Sequence, residues 1–248
     1  MRVLRAMFSR RWILTTLLVF AGTALCARLG IWQLDRLDQR RAANAHFESV
    51  QAMPTLELSG ATAEDLTAQE YRAVTARGVY DFEHQVALRN RDREGVLGYH
   101  LLTPLVFSDG SAILVERGFI PAEGNAAPAD WRRYDQPGEV LVSGIIHLGQ
   151  TEPGFGAVSD PPHVEGQRLD FWVIVNLERI QLQVPHRLLP AFLQPDMDPA
   201  DTIPPIAYQY QYEVTEGPHL GYAGQWFTFA ALLFFGYPLF YLPKQDLS

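Results

Sequence analysis

His219 stands at the head of a charge-free apolar run and is followed by Tyr222, Gln225 and Trp226, while Gly30, Trp32, Gln33 and Arg36 close an earlier apolar run. In a helix His219 and Tyr222 are i, i+3 neighbours and Trp226 lies four further on, so they share a face. Trp32 with Arg36 and Gln33 with Arg36 share another. An imidazole nitrogen is a good donor to haem iron, aromatic rings pack on a porphyrin, and a guanidinium pairs with propionates. One reading of the two clusters is a haem site between helices. The other is the ordinary interfacial belt of Trp and Tyr, with Arg36 reaching the headgroups and His219 facing water. The residues alone favour the second reading.

Both clusters must be positioned by the runs that carry them. An α-helix needs about 20 apolar residues to cross a hydrocarbon core of about 30 Å. Residues 218–242 carry no charge, and ten of them are Leu or Phe. Those ten supply roughly 3–6 kcal/mol toward insertion, which offsets Gln225, the glycines and Pro238. Residues 12–34 form an earlier run, interrupted at Arg28, which can snorkel to the headgroups. The Ala24-Leu25-Cys26 exit fits a cleaved signal poorly, so an uncleaved span is expected. Arg2, Arg5, Arg10 and Arg11 in the leading segment 1–11, with Lys244 in the tail 243–248, favour both termini in the cytoplasm. Both clusters then lie at one, outer, membrane interface. Residues 35–52, where Arg36, Arg40 and Arg41 alternate with Asp35 and Asp38, read as a helical extension.

The middle, 53–217, reads as a predominantly antiparallel β domain outside the cytoplasm, with a few short helices. Thr62 with Asp65 resembles a capping box. TARGVYDF, QVALRNR, GYHLLTPLVF and SAILVERGFI are strand-length runs, with Asp109-Gly110 as a hairpin turn. EVLVSGIIHL alternates as a half-buried strand should, FWVIVNL reads as a buried strand leading to a short helix at 178–183, and YQYQYEV alternates again. Residues 149–167 read as a long loop, and the prolines of 185–205 predict irregular structure. The fold class is a membrane protein with two transmembrane α-helices flanking this β domain.

Several functions find no support. Net charge is −8 and no basic run follows the N-terminus, so nucleic acid is not an expected partner. Cys26, the only cysteine, excludes an intrachain disulfide and reads as a buried helix residue. His84, His100, His147, His163 and His186 lack metal-ligand spacing, and Gly154-Phe155-Gly156 is too short for a phosphate loop. Arg89, Asn90 and Arg91 read as solvated strand ends rather than an anion-binding cluster, and Arg117 as a structural pair or a membrane-proximal contact.

Four motifs in order, GIWQLDR at 30–36, GYHLLTPL at 98–105, VERGFIP at 115–121 and HLGYAGQWFTFA at 219–230, resemble the Surfeit locus protein one family. The resemblance implies an assembly factor, a chaperone of respiratory-chain biogenesis, for haem-copper cytochrome c oxidase in the bacterial plasma membrane. It implies two spans around an outward domain, a catalytic oxidase subunit as partner together with haem a synthesis enzymes and the lipid bilayer, and transiently bound haem a. By that pattern His219 is the candidate iron ligand; Tyr222 and Trp226 would then pack the macrocycle, Arg36 would pair with a propionate or serve as an interface residue, and Gly30, Trp32, Gln33 and Gln225 would serve as interaction residues. The chain departs from the pattern at Gly217-Pro218 and Phe119. The rivals are a membrane scaffold that never touches haem, and a membrane-tethered enzyme, for which no convergent acid, base or nucleophile set is visible.

Overall fold

The computed structural model describes residues 7–239 apart from Ala61, Ala63, Glu64, Phe155, Ala157, His163, Glu165, Pro199, Tyr210 and Gln211. The expectations for Arg2, Arg5, Phe155, His163, Tyr210, residues 240–242, Lys244 and the tail fall outside them. Two compact units emerge, one of 1–46 with 213–248 and one of 47–212.

The first unit is a pair of helices. Helix α1 spans Ile13–Gln51 without a break, so the expected span and its helical extension are one element. Among the described helices it is the one long and apolar enough to cross a membrane. Most of the apolar window is uncovered by protein, with Leu14, Leu17, Leu18 and Leu25 exposed. The last helix of the chain, His219–Leu239, falls where a helix was expected. Its first two turns carry Tyr222, Gln225 and glycines, which thin its apolar density relative to α1. Cys26 lies on α1 as a free thiol and is half-buried, less covered than expected.

The second unit is barrel-like. Its strands are β1 Leu56–Leu58, β2 Ala73–Tyr80, β3 Val86–Arg93, β4 Val96–Val106, β5 Ala112–Pro121, β6 Glu139–His147, β7 Phe171–Trp172 and β8 Leu188–Pro195. Two short helices, α2 Pro128–Trp131 and α3 Leu177–Gln181, pack outside them, and the chain's final helix is α4. The order β1-β2-β6-β8-β5-β4-β3-β7 is closed by Val79↔Val106 and Tyr80↔Leu105 between β2 and β4. Strands β2, β4, β5, β8 and β6 thereby form a five-stranded Greek-key ring of the OB-fold kind. Ring closure hides strand edges, which are otherwise a liability. One core lies among Val74, Ala76, Leu105, Ile113, Val115 and Ile146, and a second lies among Leu88, Leu102, Leu114, Trp172 and Ile180. β5 is buried along nearly its whole length, and its polar Glu116 accepts hydrogen bonds from His100 Nδ1 (2.6 Å) and Gln194 Nε2 (2.7 Å).

Four local expectations give way to identifiable chemistry. Asp65, not Thr62, caps the short 3-10 turn Leu66–Ala68, its Oδ1 accepting from the Thr67 amide at 3.0 Å. FWVIVNL is a strand only at Phe171–Trp172, because the next amide, of Val173, donates to Asp160 Oδ1 at 2.7 Å and is lost to the ladder. The proline-rich 185–205 contains β8, and exposed Pro190, which has no N–H to give, falls where its pairing with β5 shifts register. YQYQYEV does not extend a ladder among the described residues. Ile206 just before it bridges Phe119, and Tyr212 instead stacks on Phe47 at 4.5 Å. The Asp109-Gly110 hairpin is as expected, with Gly110 at φ +84° and Asp109 Oδ1 accepting from the Ser111 amide.

Candidate functional site

The site is built where α1 and α4 run side by side within the first unit. Thr16 meets the Tyr237 hydroxyl at 2.8 Å, and Phe20 packs edge-on against Phe234 at 6.2 Å. Gly30 lies under the Phe227 ring, and Gln33 meets His219. As the residue number rises along α1 the partner's number falls along α4, so the helices are antiparallel. Gly30 permits the approach, since a Cβ there would stand 2.7 Å from the Phe227 ring. Small residues at such crossings are the usual means of bringing two helices close in an apolar medium.

The segment entering α4 is fixed by α1. Arg40 donates to the carbonyls of Thr215 (2.9 Å) and Glu213 (2.6 Å), and Asn44 donates to the same Thr215 carbonyl at 3.1 Å. Arg41 makes a two-pronged pair with Glu216 at 2.7 and 3.1 Å. That hydrogen-bonded pair holds the Glu216 carboxyl below, and the Arg41 guanidinium above, its ordinary value. Gly217 follows at φ +66°, a left-handed turn that favours glycine, and α4 then starts at His219.

These contacts present the His219 ring. Its Nδ1–H donates to Gln33 Oε1 at 2.8 Å, which fixes the tautomer and leaves the lone pair on Nε2. A Cβ at Gly217 would lie 3.4 Å from the ring's Cδ2 and 3.6 Å from Nε2, so the glycine keeps that edge uncrowded. One ring nitrogen held by a hydrogen-bond acceptor, with the other nitrogen open, is the usual arrangement of a metal-bound histidine. The donor set would therefore fit a group that ligates haem iron through Nε2.

The other expected site residues are distributed more loosely. Arg36 donates to Gln39 Oε1 at 2.9 Å and lies over the Trp32 ring at 5.5 Å, so Trp32 and Arg36 form their own exposed pair. Tyr222 and Gln225 are exposed on α4, and Trp226 packs edge-on against Phe229 at 6.0 Å. Sequence reasoning missed Arg40, Arg41 and Asn44 as functional residues. Their signal was the shared face of i and i+4 on the helical extension, but the partners are mostly backbone carbonyls, which leave no mark in sequence.

Four other described histidines, His84, His100, His147 and His186, lie in the β unit. His100 pairs with Glu116, and His84 bonds Asp81 at 2.6 Å, with His186 Nε2 3.2 Å from the same carboxylate. His147 is buried, and burial lowers its pKa from the ordinary value of 6.5. Among the described residues no group of three or more His, Cys, Asp or Glu is arranged to hold a metal ion. Arg117 is buried between Tyr80 and Phe82, each ring 5.1 Å away, and donates to Gln85 and to the Tyr134 carbonyl, which makes it a structural cation.

Comparison with known proteins adds an independent line. A family model described as the SURF1 family matches residues 20–231. An uncharacterized SURF1-like protein of Mycobacterium tuberculosis is 27% identical over 89% of this chain and 80% of its own length. A SURF1-like protein of Dictyostelium discoideum is 28% identical over 55% of the chain, and about half (52%) of that protein is spanned. The cytochrome oxidase assembly protein SHY1 of Saccharomyces cerevisiae is 31% identical over 43% of the chain and 28% of its own length.

Proposed function

The chain belongs to the SURF1 family, and from that premise we propose that it is a membrane-held, non-enzymatic assembly factor for haem-copper cytochrome c oxidase. In this reading it binds haem a through His219 and passes it, or the subunit that receives it, onward. The observation that carries the reading is the His219–Gln33 hydrogen bond, which leaves Nε2 as the donor atom. The name of the yeast relative supports the assembly role. Bound haem a would supply the redox-active iron that the oxidase needs. The chain would hold it through His219 Nε2, with Gln33 orienting the ring and the exposed Tyr222 available to the macrocycle. A single histidine on a two-helix surface suits a carrier, because a site that binds firmly but incompletely can yield its cargo to a better-coordinated one.

The antiparallel pairing supports α4 as the second span. It accompanies the apolar part of α1 contact for contact and leaves Phe229, Leu232 and Phe235 exposed on its own flank. Exposed apolar surface of this extent suits lipid or a membrane-embedded partner. With both termini cytoplasmic, a reporter fused after residue 125 is expected to be active outside the cytoplasm, and activity inside would invert the topology. The catalytic oxidase subunit is the proposed partner, with haem a synthesis enzymes as the proposed donors.

The same exposed flank favours a second reading, a scaffold that engages the oxidase subunit without haem. Complementation of cells lacking the chain distinguishes the two. Under the carrier reading, His219→Ala restores the membrane level of the protein but not the haem a content of the oxidase. Equal restoration by wild type and His219→Ala would leave the scaffold reading.

A further inference from the structure

In the β unit, Arg89 and Arg91 flank a bulge in β3. Pairing with β4 jumps from Leu88↔His100 to Arg91↔Gly98, so Arg89 and Asn90 together oppose Tyr99, with Asn90 turned out at φ +61°. A bulge of this kind re-aims side chains and is enriched beside functional sites. Both arginines line one cavity of about 410 Å³, walled by Tyr99, Phe171, Leu97 and Ala122. No acidic residue lines that cavity, and the Tyr99 and Phe171 rings, 5.0 Å apart and tilted at 57° to each other, form its aromatic wall.

The Nε atoms of Arg89 and Arg91 are both buried without a hydrogen-bond partner. A buried donor on a charged group is costly to leave unpaired, and other interior guanidinium groups of this chain, such as that of Arg117, are satisfied. Guanidinium groups match carboxylate and phosphate oxygens in two-pronged geometry, and aromatic walls accept a flat apolar body. We propose that this cavity binds an organic anion, a carboxylate or phosphate carried on a planar apolar group, with Arg89 and Arg91 holding the charge and Tyr99 and Phe171 the ring. The site is independent of His219.

The test is calorimetric titration of the detergent-purified full chain with 1-naphthoate and with its neutral counterpart 1-naphthamide. Comparison with an Arg89→Gln/Arg91→Gln chain separates the site from partitioning into micelles. Wild type is expected to bind naphthoate at least about tenfold more tightly than it binds the amide, and the double variant is expected to lose that margin. Arg91→Lys, which keeps the charge but not the fork, is expected to fall between them, and an unchanged melting temperature in each variant excludes misfolding. Equal binding of naphthoate by wild type and the double variant, or equal binding of acid and amide by wild type, would overturn the proposal. To separate the aromatic wall's contribution from that of the charge, inorganic phosphate is added as competitor. Displacement of naphthoate only at far higher phosphate concentration is expected, and displacement at equal concentration would contradict the role of the aromatic wall.

Discussion

His219 and Gln33 are 186 residues apart in the chain and 2.8 Å apart in the fold, joined by a hydrogen bond from imidazole Nδ1 to amide Oε1. The bond determines which imidazole nitrogen faces outward, and through it the glutamine of α1 governs the chemistry of the histidine on α4.

Gln33→Leu removes the acceptor while roughly keeping the volume, so the ring loses its fixed tautomer and orientation. Loss of a hydrogen-bond partner that orients a metal-bound histidine typically weakens metal binding about 10- to 100-fold. Haem a retained per protein after purification is expected to fall accordingly, and Gln33→Glu, which keeps an acceptor, is expected to retain most of it. Unchanged retention in Gln33→Leu would show that the bond does not serve ligation.

Gly30 sets how closely the helices pack. Alanine there would put its Cβ 2.7–2.9 Å from Cε1, Cζ and Cδ1 of the exposed Phe227 ring, so the ring must shift, and Gly30→Ala is expected to cost less than a larger side chain. Gly30→Leu overpacks the crossing at a cost of about 1–3 kcal/mol. Cross-linking between Gly22→Cys and Leu233→Cys, in a Cys26→Ser background, reads the separation, because these positions face each other. The yield is expected to survive Gly30→Ala and to drop with Gly30→Leu.

The sequence made the parts of this site legible but not their contact. His219, Gln33 and Gly30 stand out because a polar or small residue at the end of an apolar run is conspicuous, and helical spacing shows which residues share a face. Whether Gln33 rather than Trp32 or Arg36 meets His219 depends on the register between two helices, which no spacing within one helix reveals. Arg36 turned instead to Gln39 and Trp32, a local partnership at i, i+3 and i, i−4. In the β unit, β2 to β6 were readable from alternation and turn residues such as Asp109-Gly110. Ring closure at Val79↔Val106 was not, and neither was β8, where Pro190 is tolerated only because the ladder is irregular at that point.

Glu116 is 1% exposed and accepts from both His100 and Gln194. Glu116→Ala strips two buried donors of their partner, and breaking a buried charged network in this way costs about 3–5 kcal/mol. A lower urea midpoint is expected, with Glu116→Gln, which keeps shape and one acceptor, less affected.

His147 sets a pH dependence. Burial pushes its imidazole below the ordinary 6.5, outweighing the opposite pull of the Glu116 charge. As pH falls below about 6.5 the unfolded chain takes up a proton that the folded chain resists, so the unfolded state is favoured. Stability is therefore full above pH 6.5 and declines as pH drops through the folded value. Denaturation midpoints between pH 8 and 5 are expected to fall more steeply in wild type than in His147→Gln.

The most direct test is the reduced-minus-oxidised spectrum of the full chain and of His219→Ala, each purified from cells that make haem a. Bound haem a in the wild type and its loss in His219→Ala, with both proteins equally folded, is the expected result. Haem retained by His219→Ala, or absent from both, would contradict His219 as the iron ligand.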